Sequence, residues 1–231
     1  SLIRKVRSDR LQIDALLLGQ SGLLQNSIES DPYLTHIRTE YSYLKKKFKL
    51  EPMPSQSWKL MRLRPDNFPA VRLVQLSSIY YKYGSLAQRI IEAESVEELF
   101  LLFENIIPGH DYWKNHYTLK KSSPEKDKRL GKPRIRVILI NAIVPFLFAL
   151  ASYSKNDVFK TKAFHILESL KPELNVITRK FVPLGFGLKS ALDSQGLIGL
   201  KKEYCDSFQC LHCKIGVNIL NNHEKSSLPH L

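Results

Sequence analysis

The stretch DPYLTHIRTEYSYLKKKFKL, residues 31–50, decides the fold class. Asp31 carries a carboxylate that can accept the open N–H groups of a helix start. Pro32 has the φ of a first helical turn and no N–H to leave unpaired. Tyr33, Ile37, Tyr41 and Leu44 then recur at four and three residues, on one face of a helix. Lys45, Lys46, Lys47 and Lys49 close the segment with positive charge, where the helix dipole favours cations. The segment predicts a capped amphipathic helix. Elsewhere the chain repeats that pattern and shows no strand-like alternation of any length.

On the N-terminal side, DRLQIDALLLGQSGLL (residues 9–24) spaces Leu11, Ala15, Leu18 and Gly22 in the same way. Gly19 and Gly22 lower helix propensity and are expected where another helix comes close. Residues 51–69 hold Pro52, Pro54, Pro65 and Pro69 and read as an irregular loop. Its Trp58, Leu60, Met61, Leu63 and Phe68 predict a loop packed onto the body. Helical patterning resumes at Ala70. Ser95 and Glu98 form a capping box before a further apolar run, which ends at Pro108 and Gly109.

VILINAIVPFLFALASY, residues 137–153, is the most apolar run. It is shorter than the roughly 20 residues of a membrane span and contains Pro145. The expectation is a buried core helix kinked at the proline, with no membrane association. Asn156 or Asp157 caps the next helix. Residues 173–181 read as a short helix, 190–203 as a helix or helix pair, and 210–220 as the last one. The fold expected is all-α: a compact bundle of about ten helices with one long basic loop. It is read as a single domain over residues 1–220 with a frayed tail at 221–231.

Of the 231 residues 43% are hydrophobic and 25% charged, which excludes a disordered chain for want of a core. Three cysteines are too few for a disulfide scaffold. Their clustering points to a reducing compartment, the cytoplasm, or to a metal site. SLIRKVRSDR has no apolar run and is not a signal peptide. A chain opening on Ser1 is expected to be part of a longer protein.

Lys and Arg number 35 against 22 Asp and Glu, a formal net charge of +13, and such an excess favours polyanions. The loop expected at residues 118–136, exposed and mobile at its tip, concentrates it. Lys120, Lys121, Lys126, Lys128, Arg129, Lys132, Arg134 and Arg136 are the candidate contacts to DNA or RNA, with Arg62, Arg64 and Arg72 nearby in sequence. Tyr80, Tyr81, Tyr83, Tyr112, Trp113 and Tyr117 offer aromatic faces for stacking on bases. The plain alternative is solvated lysines and core tyrosines.

Cys205, Cys210 and Cys213 stand in a C-x4-C-x2-C pattern. Thiolates suit zinc or an iron–sulfur cluster. Both need a fourth ligand, which would have to be His212, His223, His116 or His165. The alternative is that Cys210 and Cys213 pack as small apolar residues one turn apart. HDYWKNHY offers His110, Asp111 and His116 for proton transfer, but no nucleophile accompanies them. A core role for the segment is the plainer reading, and no residue is assigned as catalytic.

Six strings in order are ALLLGQSGLL, EYSYLKKKFKL, RLRPDNFPAVRLVQL, WKNHY, INAIVPFLFA and SQGLIGLKKEYCDSFQCLHCKIG. Together they resemble the C-terminal half of the Bacteroidetes-type "domain of unknown function 2851" family, over residues 11–220. The resemblance implies a bacterial protein whose longer relatives carry an N-terminal half similar to a divergent nuclease core. Any acidic metal centre of that kind would lie outside this chain. The three-cysteine string fits the family pattern, which keeps zinc among the readings.

Three functions follow. The first is a non-catalytic helical domain that binds nucleic acid as companion to a nuclease-like module. The second is a structural or protein-interaction domain. The third is a metal-containing enzyme using the cysteine cluster. Enzymatic activity stays open, with the non-catalytic reading first.

Overall fold

A computed structural model describes residues 2–6, 8–26, 31–59 and 61–226. Among them there is no strand, only one antiparallel bridge between His116 and Ser122, so the fold is all-α. Leu60, one of the expected loop anchors, and residues 227–231 of the expected tail lie outside the described residues. The chain divides into two units, Ser1–Arg136 and Val137–Leu231.

The first unit holds helices α1 (Leu2–Val6), α2 (Arg10–Gln20), α3 (Pro32–Phe48), α4 (Pro69–Tyr83), α5 (Leu86–Glu92) and α6 (Val96–Glu104). α2 packs against both α3 and α4. Ile13 and Leu18 of α2, Leu34, Ile37 and Leu44 of α3, and Val71 and Val74 of α4 are buried together with Trp113. Each such aliphatic side chain contributes roughly 1.5–3 kcal/mol by leaving water.

The cap read at Asp31 forms. Its Oδ1 accepts from the backbone of Tyr33 at 2.8 Å and of Leu34 at 3.4 Å. Ser95 Oγ accepts from Glu98 N at 3.1 Å, but the Glu98 carboxylate takes the N–H of Glu94, at 2.9 Å. The box is shifted by one residue. Gly19 meets the ring of Tyr41, where a Cβ would overlap it. Gly22 has φ +74° beside the Met53 carbonyl, a conformation that side chains disfavour.

The loop at residues 51–69 is held less densely than its apolar content predicts. Trp58 Nε1 donates to Ser21 O at 2.8 Å and Phe68 is half-buried, yet Met53, Met61 and Leu63 are exposed. Two 3-10 turns, Ser55–Ser57 and Pro65–Asn67, set its backbone locally, so two anchors suffice.

A continuous helical run, Lys132–Ser154, carries the chain from one unit to the next as α7 (Lys132–Ile138), a widened π turn at Leu139–Ile143, and α8 (Val144–Ser154). The accommodation to Pro145 therefore takes the form of a widened turn directly before it. The N–H of Val144 reaches back five residues, to Leu139 O. A proline lacks the N–H of an α turn and crowds the carbonyl four residues back, and the wider turn relieves both. It also keeps the buried side in line. Within the second unit Leu139, Ile143, Leu147 and Ala151 are all buried. A four-residue repeat would drift about 120° along that stretch of ideal α-helix. One extra residue in the turn takes back about 100°.

By length and composition this run could cross a membrane. The run is only partly buried, with apolar Val137 40% exposed, and so differs from the wholly buried core helix that its composition suggests.

The second unit continues with α9 (Asp157–Ser169), α10 (Thr178–Phe181), α11 (Ala191–Gly199) and α12 (Lys214–Ser226). α9 packs on α8 and α11. Asn156 caps α9, its Oδ1 accepting from Val158 N at 3.1 Å. The short helix expected from residue 173 starts only at Thr178. Asn175 Oδ1 takes the N–H groups of Ile177 (2.9 Å) and Thr178 (3.0 Å), which makes Asn175 the starting cap. α11 opens on a Ser190–Asp193 capping box and runs into a second π turn, Leu200–Cys205. α12 continues to Ser226, into the segment expected to fray.

Candidate nucleic-acid interface

The expected basic loop is shorter and better anchored than its composition suggests. It spans residues 118–131, and α7 begins at Lys132 because Gly131 O accepts from Arg134 N (2.9 Å) and Ile135 N (3.1 Å). Leu119 and Leu130 are buried and hold the two ends. Between them the loop folds back on the start of α4. Gln75 Nε2 donates to Lys128 O at 2.6 Å. Lys126 Nζ pairs with Asp66 at 2.9 Å, and this contact holds the Asp66 carboxyl below its ordinary range.

Asp66 and Asn67 sit on the 3-10 turn Pro65–Asn67, directly ahead of α4. Asn67 Oδ1 accepts from Arg72 Nη2 at 3.0 Å and also from Arg134 Nη2. Arg72 Nη1 donates to Gln75 Oε1 at 2.7 Å. Two guanidiniums thus converge on one neutral amide oxygen, and among the described residues no carboxylate makes a salt bridge to either. Burial, then the positive charge of Arg134, push the Arg72 guanidinium below its usual pKa, with Asp66 opposing. The arrangement suits an anion with several oxygens, such as a phosphate.

The eight candidate contacts fall into three groups. Lys126 pairs with Asp66, Arg129 with Asp127 at 2.6 Å, and Lys132 with Glu104 at 3.7 Å. Lys128, expected on the exposed loop, is only 5% exposed. Its Nζ donates to Lys114 O at 2.6 Å and lies 4.3 Å above the Tyr117 ring. Burial pushes its pKa down, and it acts as an internal strut. Lys120 and Lys121 are exposed, and Arg134 and Arg136 half-buried, all without a salt-bridge partner among the described residues. Arg136 Nε is buried with no hydrogen-bond partner there.

Two concavities adjoin these groups. One is an apolar slot of about 170 Å³ lined by Leu23, Phe68, Pro69, Ala70, Tyr117 and Leu119, with Ser55 and Lys120 as polar lining. The other is a cleft of about 400 Å³ between residues 107–114 and 125–128. Its charges are partly neutralised internally, with Lys114 on Asp111 at 2.9 Å.

Tyr112 and Trp113 anchor the HDYWKNHY segment in the core, whereas His110, Asp111, Lys114 and Asn115 are exposed, and His110, Asp111 and Lys114 line that cleft. Trp113 is 1% exposed. Its Nε1 donates to Tyr33 Oη at 3.0 Å, and Tyr33 Oη donates to Asp14 Oδ2 at 3.0 Å. His110 stacks on Tyr33 with centroids 4.2 Å apart, and His116 on Tyr112 at 3.8 Å. Asp14, 2% exposed, has its pKa raised by burial, against the pull of Ser77, Tyr33 and the charge of Arg10. Neither Asp14 Oδ1 nor Ser77 Oγ completes a hydrogen bond of normal geometry among the described residues. Both histidines are packed as parts of an aromatic cluster.

Cys205 and Cys210 are exposed and Cys213 is buried. The described residues hold no group of three or more His, Cys, Asp or Glu side chains placed to share a metal ion. Cys210 begins a 3-10 turn, Cys210–His212, so Cys210 and Cys213 do not share a helix.

The fold and this surface describe a helical domain with a cation-bearing loop. The chain belongs to the family described as "Protein of unknown function (DUF2851)", whose model matches residues 1–176. The three-cysteine string lies outside those residues. No match was found among curated proteins or solved structures.

Asp66, Asn67 and Gln75 are not among the residues that charge and motif mark as functional. The string RPDNFP carries a signal for the first two, since an Asp-Asn pair between prolines marks a tight turn at a helix start.

Proposed function

We propose that this chain is a non-catalytic helical domain that binds the backbone of a nucleic acid around the slot beside Phe68. The observation that carries the reading is the convergence of Arg72 and Arg134 on the single neutral oxygen of Asn67. Like charges are held together there without a carboxylate salt bridge from any described residue, and a phosphate oxygen would relieve them. Lys120 and Lys121 extend the cationic surface. Such a surface would hold a strand for a nuclease-like module of the kind the family resemblance implies.

The test is fluorescence anisotropy with labelled DNA and RNA across a salt series. Affinity falls linearly on a log–log plot against salt. Lys120→Ala with Lys121→Ala weakens binding evenly across sequences and lowers the slope by about one for each lysine that neutralises a phosphate. No binding of any strand at low salt overturns the reading.

A second reading, a protein-interaction module, is favoured by the unit Val137–Leu231. There Val176, Leu184, Leu211 and Phe208, the last 89% exposed, present apolar side chains to solvent. Self-association measured by light scattering tests it, and a monomer at every concentration counts against it.

A further inference from the structure

The slot and the guanidinium pair are parts of one short stretch of chain. Phe68, which lines the slot, immediately follows Asn67, which gathers the guanidiniums. Arg72 stands one helical turn beyond Phe68, its N–H donating to Phe68 O at 3.2 Å. Phe68 is the extended N-cap of α4, so the slot and the guanidinium pair adjoin at the start of one helix. A nucleobase and its own phosphate are likewise neighbours, separated by one sugar.

The slot is apolar and walled in part by two aromatic rings. Tyr117 is held in place from outside it. The Lys128 ammonium lies 4.3 Å above the ring centroid, and the charges of Asp66 and Lys126 act on the phenol. Lys120 brings a cation to the same lining. An apolar volume of about 170 Å³ with stacking faces and a cation takes a flat heterocycle better than an aliphatic side chain. A base paired within a duplex cannot enter it.

We propose that this slot and the Arg72–Arg134 pair together bind one nucleotide of a single-stranded nucleic acid. The base lies beside Phe68 and Tyr117, and its phosphate lies on the guanidiniums. The proposal rests on the nucleic-acid reading above and adds a preference for unpaired bases.

Anisotropy with three labelled ligands tests it on the full chain: a short oligothymidylate, the same strand with abasic sites throughout, and a duplex of equal length. The base-bearing strand binds about tenfold more tightly than the abasic strand, the effect of one stacked base, and more tightly than the duplex. Phe68→Leu and Tyr117→Leu keep an apolar side chain in the wall and remove a stacking face. Each abolishes the preference for the base-bearing strand while leaving the salt slope unchanged. Near-ultraviolet circular dichroism verifies that these variants are folded; if they are not, the three ligands on the unaltered protein still decide. Equal affinity for base-bearing and abasic strands overturns the slot, and salt-dependent binding of both then leaves the backbone reading standing. Failure to bind any of the three overturns both.

Discussion

Replacing Tyr33 by Phe removes a single oxygen from the best-buried polar network among the described residues. That oxygen accepts from Trp113 Nε1 at 3.0 Å and donates to Asp14 Oδ2 at 3.0 Å. Asp14 meets only Ser77 on its other oxygen, without normal hydrogen-bond geometry, so the substitution leaves its carboxyl with that contact alone. A buried N–H left unpaired costs about 1–3 kcal/mol, and a hydrogen bond to a charged group contributes about 1.5–3 kcal/mol. The two losses share one hydroxyl and are not additive, so the expected destabilisation is about 3 kcal/mol. Both tryptophans, Trp58 and Trp113, lie in the unit Ser1–Arg136, so their fluorescence in a urea titration reports that unit. The midpoint is expected to fall by about 1–2 M. In the Asp14→Asn background the same Tyr33→Phe change costs less, because a neutral amide is cheaper to strand than a carboxylate. A loss below about 1 kcal/mol, or an equal loss in both backgrounds, would refute the assignment of a tightly enclosed network.

Two further outcomes concern the same unit. Gly19→Ala drives a methyl into the Tyr41 ring; overpacking of about 1–3 kcal/mol outweighs the gain in helix propensity of about 1 kcal/mol, and thermal unfolding shows a lower midpoint. The raised pKa of Asp14 means that the folded state holds its proton to higher pH than the unfolded chain does. Its stability therefore falls as pH rises from the ordinary carboxylate range through the folded pKa, and Asp14→Asn flattens that part of the curve measured by urea titrations in a pH series.

Local chemistry is legible in the sequence, and distant partnership is not. The caps at Asp31, Ser95 and Asn156 depend on atoms two to four residues away, and each forms where the sequence puts it. The close approach at Gly19 is also readable, since a glycine inside an apolar helix pattern costs stability unless something packs against it. Lys128 reads as solvent-facing because its acceptor, the Lys114 carbonyl, lies fourteen residues back and meets it only once the loop has folded over α4. Asp14 carries a signal that helical periodicity overlooks. It is the lone acid within the apolar stretch from Ile13 to Leu18, and an acid there must find partners or an altered pKa. The cysteine pattern C-x4-C-x2-C describes separation along the chain, whereas the fold puts Cys205 at the end of a π turn and Cys210 at the start of a 3-10 turn.

The widened turn before Pro145 makes the helix tolerant of one particular length change. Deleting a single residue from Leu139–Ile143 would remove the extra residue and restore ordinary winding, and the two changes of about 100° offset each other, so Leu147 and Ala151 keep their facing. The cost left is that of Pro145 in an ordinary turn. A one-residue deletion within Val144–Ser154 has no extra residue to absorb it and re-aims every later side chain of α8 by about 100°, and the difference can be read in the yield of soluble protein.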